Sequence, residues 1–292
     1  MSSPAAEARA RRLERIKPLL RCPACRSRLA FDENAAHCAT CGKSYPIERS
    51  RLYFIGVPAR EDELDRVKGW LKRRLGQRYY SIGIWLLAPT YPLNFRKWVL
   101  RYADPATRLI IDAGSGNHRL HPGIICVDTC DYDAVDLVCD LQRLPFDDNA
   151  ADAIVSRSVL EHVEHPAAAV AEFYRCTKPG GLGIHVIPFL FPFHASPADY
   201  HRYTHRGHDV LFAAWETVTR TNPTGPVTVL LLHAVETIAT AASFGVERAK
   251  AVVYLLLCGL VFPLKFLDAP FVNRHAFLTV AASILSVVRK PV

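Results

Sequence analysis

The sequence has no run of roughly 18 uninterrupted apolar residues; its longest uncharged apolar runs are Ala251–Leu264 and Ala276–Val288. By that measure a membrane span is not expected. The first fifteen residues are polar and rich in Ala and Arg, with none of the apolar core of a secretory signal. An even cysteine complement is missing too. There are nine, and only Cys22, Cys25, Cys38 and Cys41 are regularly spaced, which argues against a disulfide framework and for a reducing compartment. These absences suggest a cytoplasmic protein, with contact at a membrane surface left open. Acidic residues are scarce in the front of the chain. Up to Arg101 there are 21 Lys/Arg against 9 Asp/Glu, and from Tyr102 onward 15 against 19. Any question of polyanion binding therefore concerns the front.

What is present suffices for a packed core. Of 292 residues, 50% are hydrophobic and 22% charged, which excludes a mainly disordered chain or a coiled coil. The composition divides it into a polar tail (1–18), a cysteine-bearing unit (19–57), a basic connector (58–102), an alternating strand–helix region (103–225) and an apolar, helical extension (226–292).

In the cysteine unit two C-x-x-C pairs, Cys22/Cys25 and Cys38/Cys41, are separated by twelve residues. Each pair can present two thiolates from one tight turn, and two turns complete the tetrahedron that zinc prefers. With all four positions Cys, the expected role is structural, needed for folding of this unit but not for cofactor affinity. The string around them, Leu20-Arg21-Cys22-Pro23, Cys41-Gly42 and Tyr45-Pro46-Ile47, resembles the small zinc ribbon of the Trm112-like type over about 37 residues. That resemblance implies a companion of methyltransferases, alone or fused in cis. In the connector, Lys68, Lys72, Arg73, Arg74 and Arg78 alternate with apolar residues over a helix expected at Asp62–Arg78. Such a face is more often solvated or packed than a phosphate grip.

The third unit carries the chemistry. Leu109–Asn117 is an apolar strand running into Asp112-x-Gly114-x-Gly116, a turn whose glycines let backbone N–H groups approach a ligand. Short strands follow that end on Asp128 and Asp140, then a strand at Ala153–Arg157, a helix at Pro166–Thr177, a Lys-Pro-Gly-Gly turn and a strand at Leu182–Ile187. Alternation of this kind implies a parallel, doubly wound sheet of Rossmann-like type, with ligands at the carboxyl ends of its strands. A nicotinamide dehydrogenase would want a third glycine where Arg119 stands.

The order of these motifs resembles the class I S-adenosylmethionine-dependent methyltransferases, the UbiE-like (type 11) branch above all, over about 110 residues. The resemblance implies that Asp112, Gly114, Ser115 and Gly116 wrap the methionine part of the cofactor. It also implies that Asp128 takes the ribose, Asp140 and Leu141 hold the adenine, and Ser156 closes the pocket. The helices expected after the glycine turn and after Asp128 are trimmed to loops here, which leaves one sheet face less covered. Pro188–His205 follows a strand's carboxyl end and is dense in His, Tyr and Asp. As a substrate lid it offers His201, Asp199 and Tyr203, with His162 nearby, as candidate catalytic groups: Asp199 to orient His201, and Arg202 to clamp an anion. The expected activity is methyl transfer to an unidentified acceptor. Lipid-linked or glycan-linked acceptors come first, with RNA gripped by ribbon and connector as the alternative and a non-catalytic adaptor as a third reading. The apolar extension is read as contact with a membrane surface or, nearly as well, as cover for the sheet.

Overall fold

The computed structural model describes residues 4–57, 88–194 and 198–292. The connector helix and Arg73/Arg74 lie outside them. Four short strands come first: β1 (Ala30–Phe31), β2 (Ala35–His37), β3 (Ser44–Glu48) and β4 (Arg51–Tyr53). Seven more follow: β5 (Ile110–Ala113), β6 (Ile125–Asp128), β7 (Leu137–Val138), β8 (Ala151–Arg157), β9 (Thr177–Pro188), β10 (Glu216–Thr221) and β11 (Ser283–Arg289). All join one sheet in the order β1-β2-β3-β4-β7-β6-β5-β8-β9-β11-β10. From β4 to β9 every pairing along that order is parallel, and β11 is antiparallel to both β9 and β10. Strands buried on both faces read as continuous apolar runs, and Ile110, Ile111, Ile125, Val127, Ile154 and Val155 are indeed fully buried.

Two layers cover this sheet. On one face α3 (Pro166–Cys176) places Ala169, Val170, Phe173 and Cys176, a helical stripe, into the core. On the other, α2 (Phe95–Tyr102) buries Phe95 and Val99 against Ile110, Ile124 and Val155. Asn94 caps α2 by accepting the Lys97 N–H at 2.9 Å. This end of the connector therefore belongs to the body.

Three expectations are corrected. The polar tail is a helix, α1 (Pro4–Ile16), that buries Leu13 and Ile16 in the same core as Ile125, Val127 and Leu137. It packs along the loops where the two helices are trimmed: Arg12 pairs with the fully buried Asp136 at 2.9 Å, and Arg15 donates to the Gly123 carbonyl. Arg119 reaches the same carboxylate at 2.9 Å, and the Cys126 N–H donates to it. The thin cover inferred from the short loops, which was the support for an adaptor, is thus filled from elsewhere in the chain. Periodicity within a segment cannot show this, because the partner is more than a hundred residues away.

The second correction is to the ribbon's independence. Its last strand, β4, pairs with β7; Leu20 bridges to Phe146; Arg26 pairs with Glu172 at 2.8 Å. Arg9, Arg26 and Arg51 also donate to the Asp133, Leu144 and Tyr132 carbonyls of the body.

The third correction is to the C-terminal stretch. After β10 the chain forms α5 (Pro226–Ala242) and α6 (Glu247–Val261) and then returns as β11, buried between β9 and β10. The apolar run at 276–288 is therefore split between a short 3-10 turn and a core strand, because alternation is invisible in a strand buried on both faces. Only 226–268 is a helical appendage, and it is an insertion. Helical structure continues from α6 through Asp268; this 22-residue stretch, with mean hydropathy 1.9 over an 18-residue window and 17% of that window buried, is long and apolar enough to cross a membrane. The uncharged run Ala251–Leu264 understated this length because Lys250 and Lys265, which bound it, lie within the helical path.

Candidate functional site

The strand order reverses between β5 and β8, and the crevice outside their carboxyl ends is where an open α/β sheet binds ligands. There β5 delivers Asp112 and the glycine turn. Gly114 has φ +75° and Gly116 φ +56°, left-handed conformations that cost other residues roughly 1–2 kcal/mol. The Gly114 N–H donates to the Val127 carbonyl at 2.8 Å, and the Gly116 N–H to Asp128 Oδ2 at 2.8 Å. A Cβ on Gly114 would come within 2.4 Å of Val159, whereas one on Gly116 would meet nothing within 4 Å. Gly114 is thus a packing requirement, and Gly116 faces open space.

Asp128 ends β6 with its other oxygen on the Cys130 N–H. Ser115 sits in the same turn, its N–H on the Val127 carbonyl. Asp140 caps the next turn, accepting from the Gln142 N–H at 2.9 Å, with Leu141 buried beside it. Asp112 is buried, and burial pushes its carboxyl up to about 7, the Arg157 charge opposing this and Asp128 adding to it. Ser156 departs from expectation. Its hydroxyl bonds to His185 Nδ1 at 2.8 Å, and His185 is stacked between Phe173 and Phe212 under α3. Burial holds that imidazole neutral, its pKa lowered to about 3.

Val159, against which Gly114 packs, leads directly into Leu160-Glu161-His162. The aromatic segment after β9 folds over this turn: the Tyr200 N–H donates to the Glu161 carbonyl and the His162 ring bonds to the Ala198 carbonyl. Here the expected pairings change. Asp199 is gripped by both ends of the Arg202 guanidinium and accepts from the His194 N–H at 2.8 Å. Burial alone would raise its pKa, but the Arg202 contacts hold the carboxyl below its ordinary value. Arg202 also serves the Phe191 and Pro192 carbonyls and so is a structural clasp, with little left to grip an anion. His201 does not meet Asp199; its Nε2 faces the Glu164 carbonyl at 3.1 Å. Tyr203 packs edge-on to His208, with its N–H on the Pro188 carbonyl. The groups that do converge are Glu161, His162 and His194. Glu161 and His194 were absent from the candidate list, although the adjacent acid and histidine at a strand end pointed to the place.

At the other end of the sheet the four cysteine sulfurs lie within 4.8 Å of one another, with Cys22 to Cys41 at 3.6 Å and Cys25 to Cys38 at 3.3 Å. A tetrahedral site with sulfurs at about 2.3 Å would separate them by roughly 3.8 Å. The two turns match: the Arg26 N–H donates to the Cys22 carbonyl and the Gly42 N–H to the Cys38 carbonyl, and both donors have positive φ. The donor set fits zinc.

A methyltransferase-domain family profile matches residues 118–184, the stretch from the end of the glycine turn into β9. Over these residues, under a quarter of its length, the chain is similar to a methyltransferase domain. Over 45 residues it is 44% identical to the ubiquinone/menaquinone biosynthesis C-methyltransferase UbiE of Burkholderia cenocepacia, 15% of this chain and 18% of that protein. The match thus spans under a fifth of the relative's length. Among solved structures, the [4+2]-cyclase SpnF is 16% identical, with TM-score 0.45, over 81% of this chain and 99% of that one. A complex of the Haloferax volcanii Trm112 methyltransferase activator with a methyltransferase is 16% identical, with TM-score 0.42, over 80% and 100%. The profile begins just beyond Gly116 and takes in Asp128, Asp140 and Glu161.

Proposed function

We propose that the methyltransferase domain binds S-adenosylmethionine over the Gly114–Gly116 turn, with Asp128 on the ribose, and passes its methyl group to an acceptor held under 188–205. The observation that carries this reading is the turn itself: two left-handed glycines, one facing open space, braced by the carboxylate that ends the next strand. The cofactor supplies an electrophilic methyl on a sulfonium. The chain's task is to aim an acceptor in line with it and exclude water. Zinc in the four-cysteine site is part of the same proposal, as a structural ion fastening the ribbon to the sheet edge. Incubation with methyl-labelled cofactor and separate pools of lipid-linked sugar, quinone and RNA tests the activity. Label is expected in a lipid-linked pool, and label confined to RNA would favour the alternative acceptor.

The cofactor is cationic, and the buried Asp112 carboxyl stands beside the turn. In the free protein, raising its pKa to about 7 means that the folded chain holds a proton the unfolded chain has lost. Between about pH 4 and about 7 this contribution to stability therefore falls as pH rises. A cation bound nearby favours the carboxylate and expels that proton. Affinity is expected to rise as pH increases toward about 7, by up to about tenfold per unit, and then to level off. Calorimetry between pH 5.5 and pH 8 checks this, and Asp112→Asn should flatten the profile.

The acceptor reading draws on the inserted helices. Phe244, at the turn between α5 and α6, is 93% exposed, and Val252, Leu256, Leu260 and Leu267 are all more than half exposed along one helical path. Lys265 donates to the Ala88 carbonyl, and Asp268 accepts the Gly225, Val227 and Thr228 N–H groups. These ties hold the far end of the path to the protein, so we read the pair as lying in a membrane surface. The full chain is expected to float with anionic vesicles, and Phe244→Asp with Leu256→Asp to release it. Wild-type protein that stays unbound at low salt would refute the lipid reading and leave the cofactor reading standing.

A further inference from the structure

The convergence of Glu161, His162 and His194 is a cluster of acceptors without a donor. Glu161 is fully buried, and neither of its carboxylate oxygens has a hydrogen-bond partner among the described residues. His162 Nε2 and His194 Nε2 each stand 3.8 Å from Glu161 Oε1, too far for a hydrogen bond, with the rings edge to face.

The opposite nitrogens fix the tautomers. His162 Nδ1 faces the Ala198 carbonyl, which can only accept, so Nδ1 carries the proton and Nε2 a lone pair. His194 Nδ1 faces two acceptors, the Pro192 carbonyl at 3.1 Å and Asp199 Oδ2 at 3.4 Å. The one donor near it, an Arg202 Nη2 at 3.4 Å, already serves Asp199. Both histidines are therefore oriented from behind by a carbonyl, the arrangement that directs an imidazole lone pair onto a metal. In front of them is a buried carboxylate with no hydrogen-bond partner among the described residues, a costly arrangement unless a cation lies between.

We propose that Glu161, His162 and His194 bind a divalent first-row transition ion, separate from the four-cysteine site. The three donor atoms lie within 4.8 Å of one another. Bonds of about 2.1 Å in a tetrahedron need roughly 3.4 Å between donors, so each ring nitrogen must close on Glu161 Oε1 from 3.8 Å by a few tenths of an ångström, and the two rings must close on each other from within 4.8 Å. Two imidazoles and one carboxylate suit zinc, iron(II) or manganese and leave coordination positions open. The site lies two residues beyond Val159, which packs on the glycine turn, and beneath the segment read as the substrate lid. A ligand there would be an oxygen of the acceptor, a hydroxyl or vicinal hydroxyl pair. This clause rests on the methyltransferase reading; the metal site does not.

Equilibrium dialysis of the full chain against zinc, with metal analysis, tests it. The wild type is expected to hold about two zinc ions per chain, and Glu161→Gln and His194→Gln about one each. A wild type that holds one ion, or Gln variants that still hold two, would overturn the proposal. So would a wild type with one ion in which nuclear magnetic resonance shows His162 or His194 as an imidazolium at neutral pH, since a proton would then be the missing cation. Because the readout is metal content, it stands or falls separately from methyl transfer.

Discussion

Asp128→Ala is expected to weaken S-adenosylmethionine binding at least about 100-fold. Two hydroxyls of the ribose would lose a charged acceptor, and each charge-assisted hydrogen bond is worth roughly 1.5–3 kcal/mol. The same carboxylate also holds the Gly116 and Cys130 N–H groups at 2.8 and 3.0 Å, so the turn would loosen as well. Asp128→Asn keeps an acceptor oxygen and should retain more affinity, which separates hydrogen bonding from loss of shape. Gly114→Val is a poorer probe, because its side chain would strike Val159 and misfold the turn. Gly116→Val places its bulk in open space and should block the cofactor at a stability cost near the left-handed penalty of about 1–2 kcal/mol. Calorimetric titration of each variant, beside its melting temperature, distinguishes these outcomes.

Loss of the four-cysteine metal is expected to damage more than the ribbon. Structural zinc commonly contributes folding free energy of about 10 kcal/mol or more to a small unit. Here Cys22 and Cys38 are buried in the same core as Ile111, Val127 and Ile154. Strand β4 is paired to β7, β7 to β6, and β6 ends on Asp128. Cys38→Ser should therefore lower the melting temperature and also weaken cofactor binding, contrary to the separation expected from sequence. A Cys38→Ser chain that melts and binds cofactor as the wild type does would show that the ribbon is uncoupled from the sheet.

The sequence showed those parts whose signal is local. Asp112-x-Gly114-x-Gly116, the two C-x-x-C turns and the acidic end of β6 each occupy a few adjacent residues; the Gly116 N–H meets Asp128 at 2.8 Å, and at the other end of the sheet the four cysteine sulfurs lie within 4.8 Å of one another. What was hidden depends on partners distant in sequence. The tail is a helix because Arg12 finds Asp136, and β11 is a strand because β9 and β10 leave a slot for it. Within the aromatic segment, residue types suggested an Asp199–His201 couple. Arg202 claims Asp199 instead, and Glu161, adjacent to His162 in sequence, gathers His194 from 33 residues further along the chain. Ser156 was misread for a simpler reason: alternation along β8 turns its hydroxyl to the helix-covered face, where His185 takes it.

The glycine turn between β5 and β6 is proposed as the cofactor site. The most direct measurement is calorimetric titration of the full wild-type chain with S-adenosylmethionine, beside Gly116→Val. The account predicts saturable binding at one site per chain in the wild type and none in the variant, with both proteins folded. Absence of binding by folded wild-type protein, or equal binding by folded Gly116→Val, would contradict it.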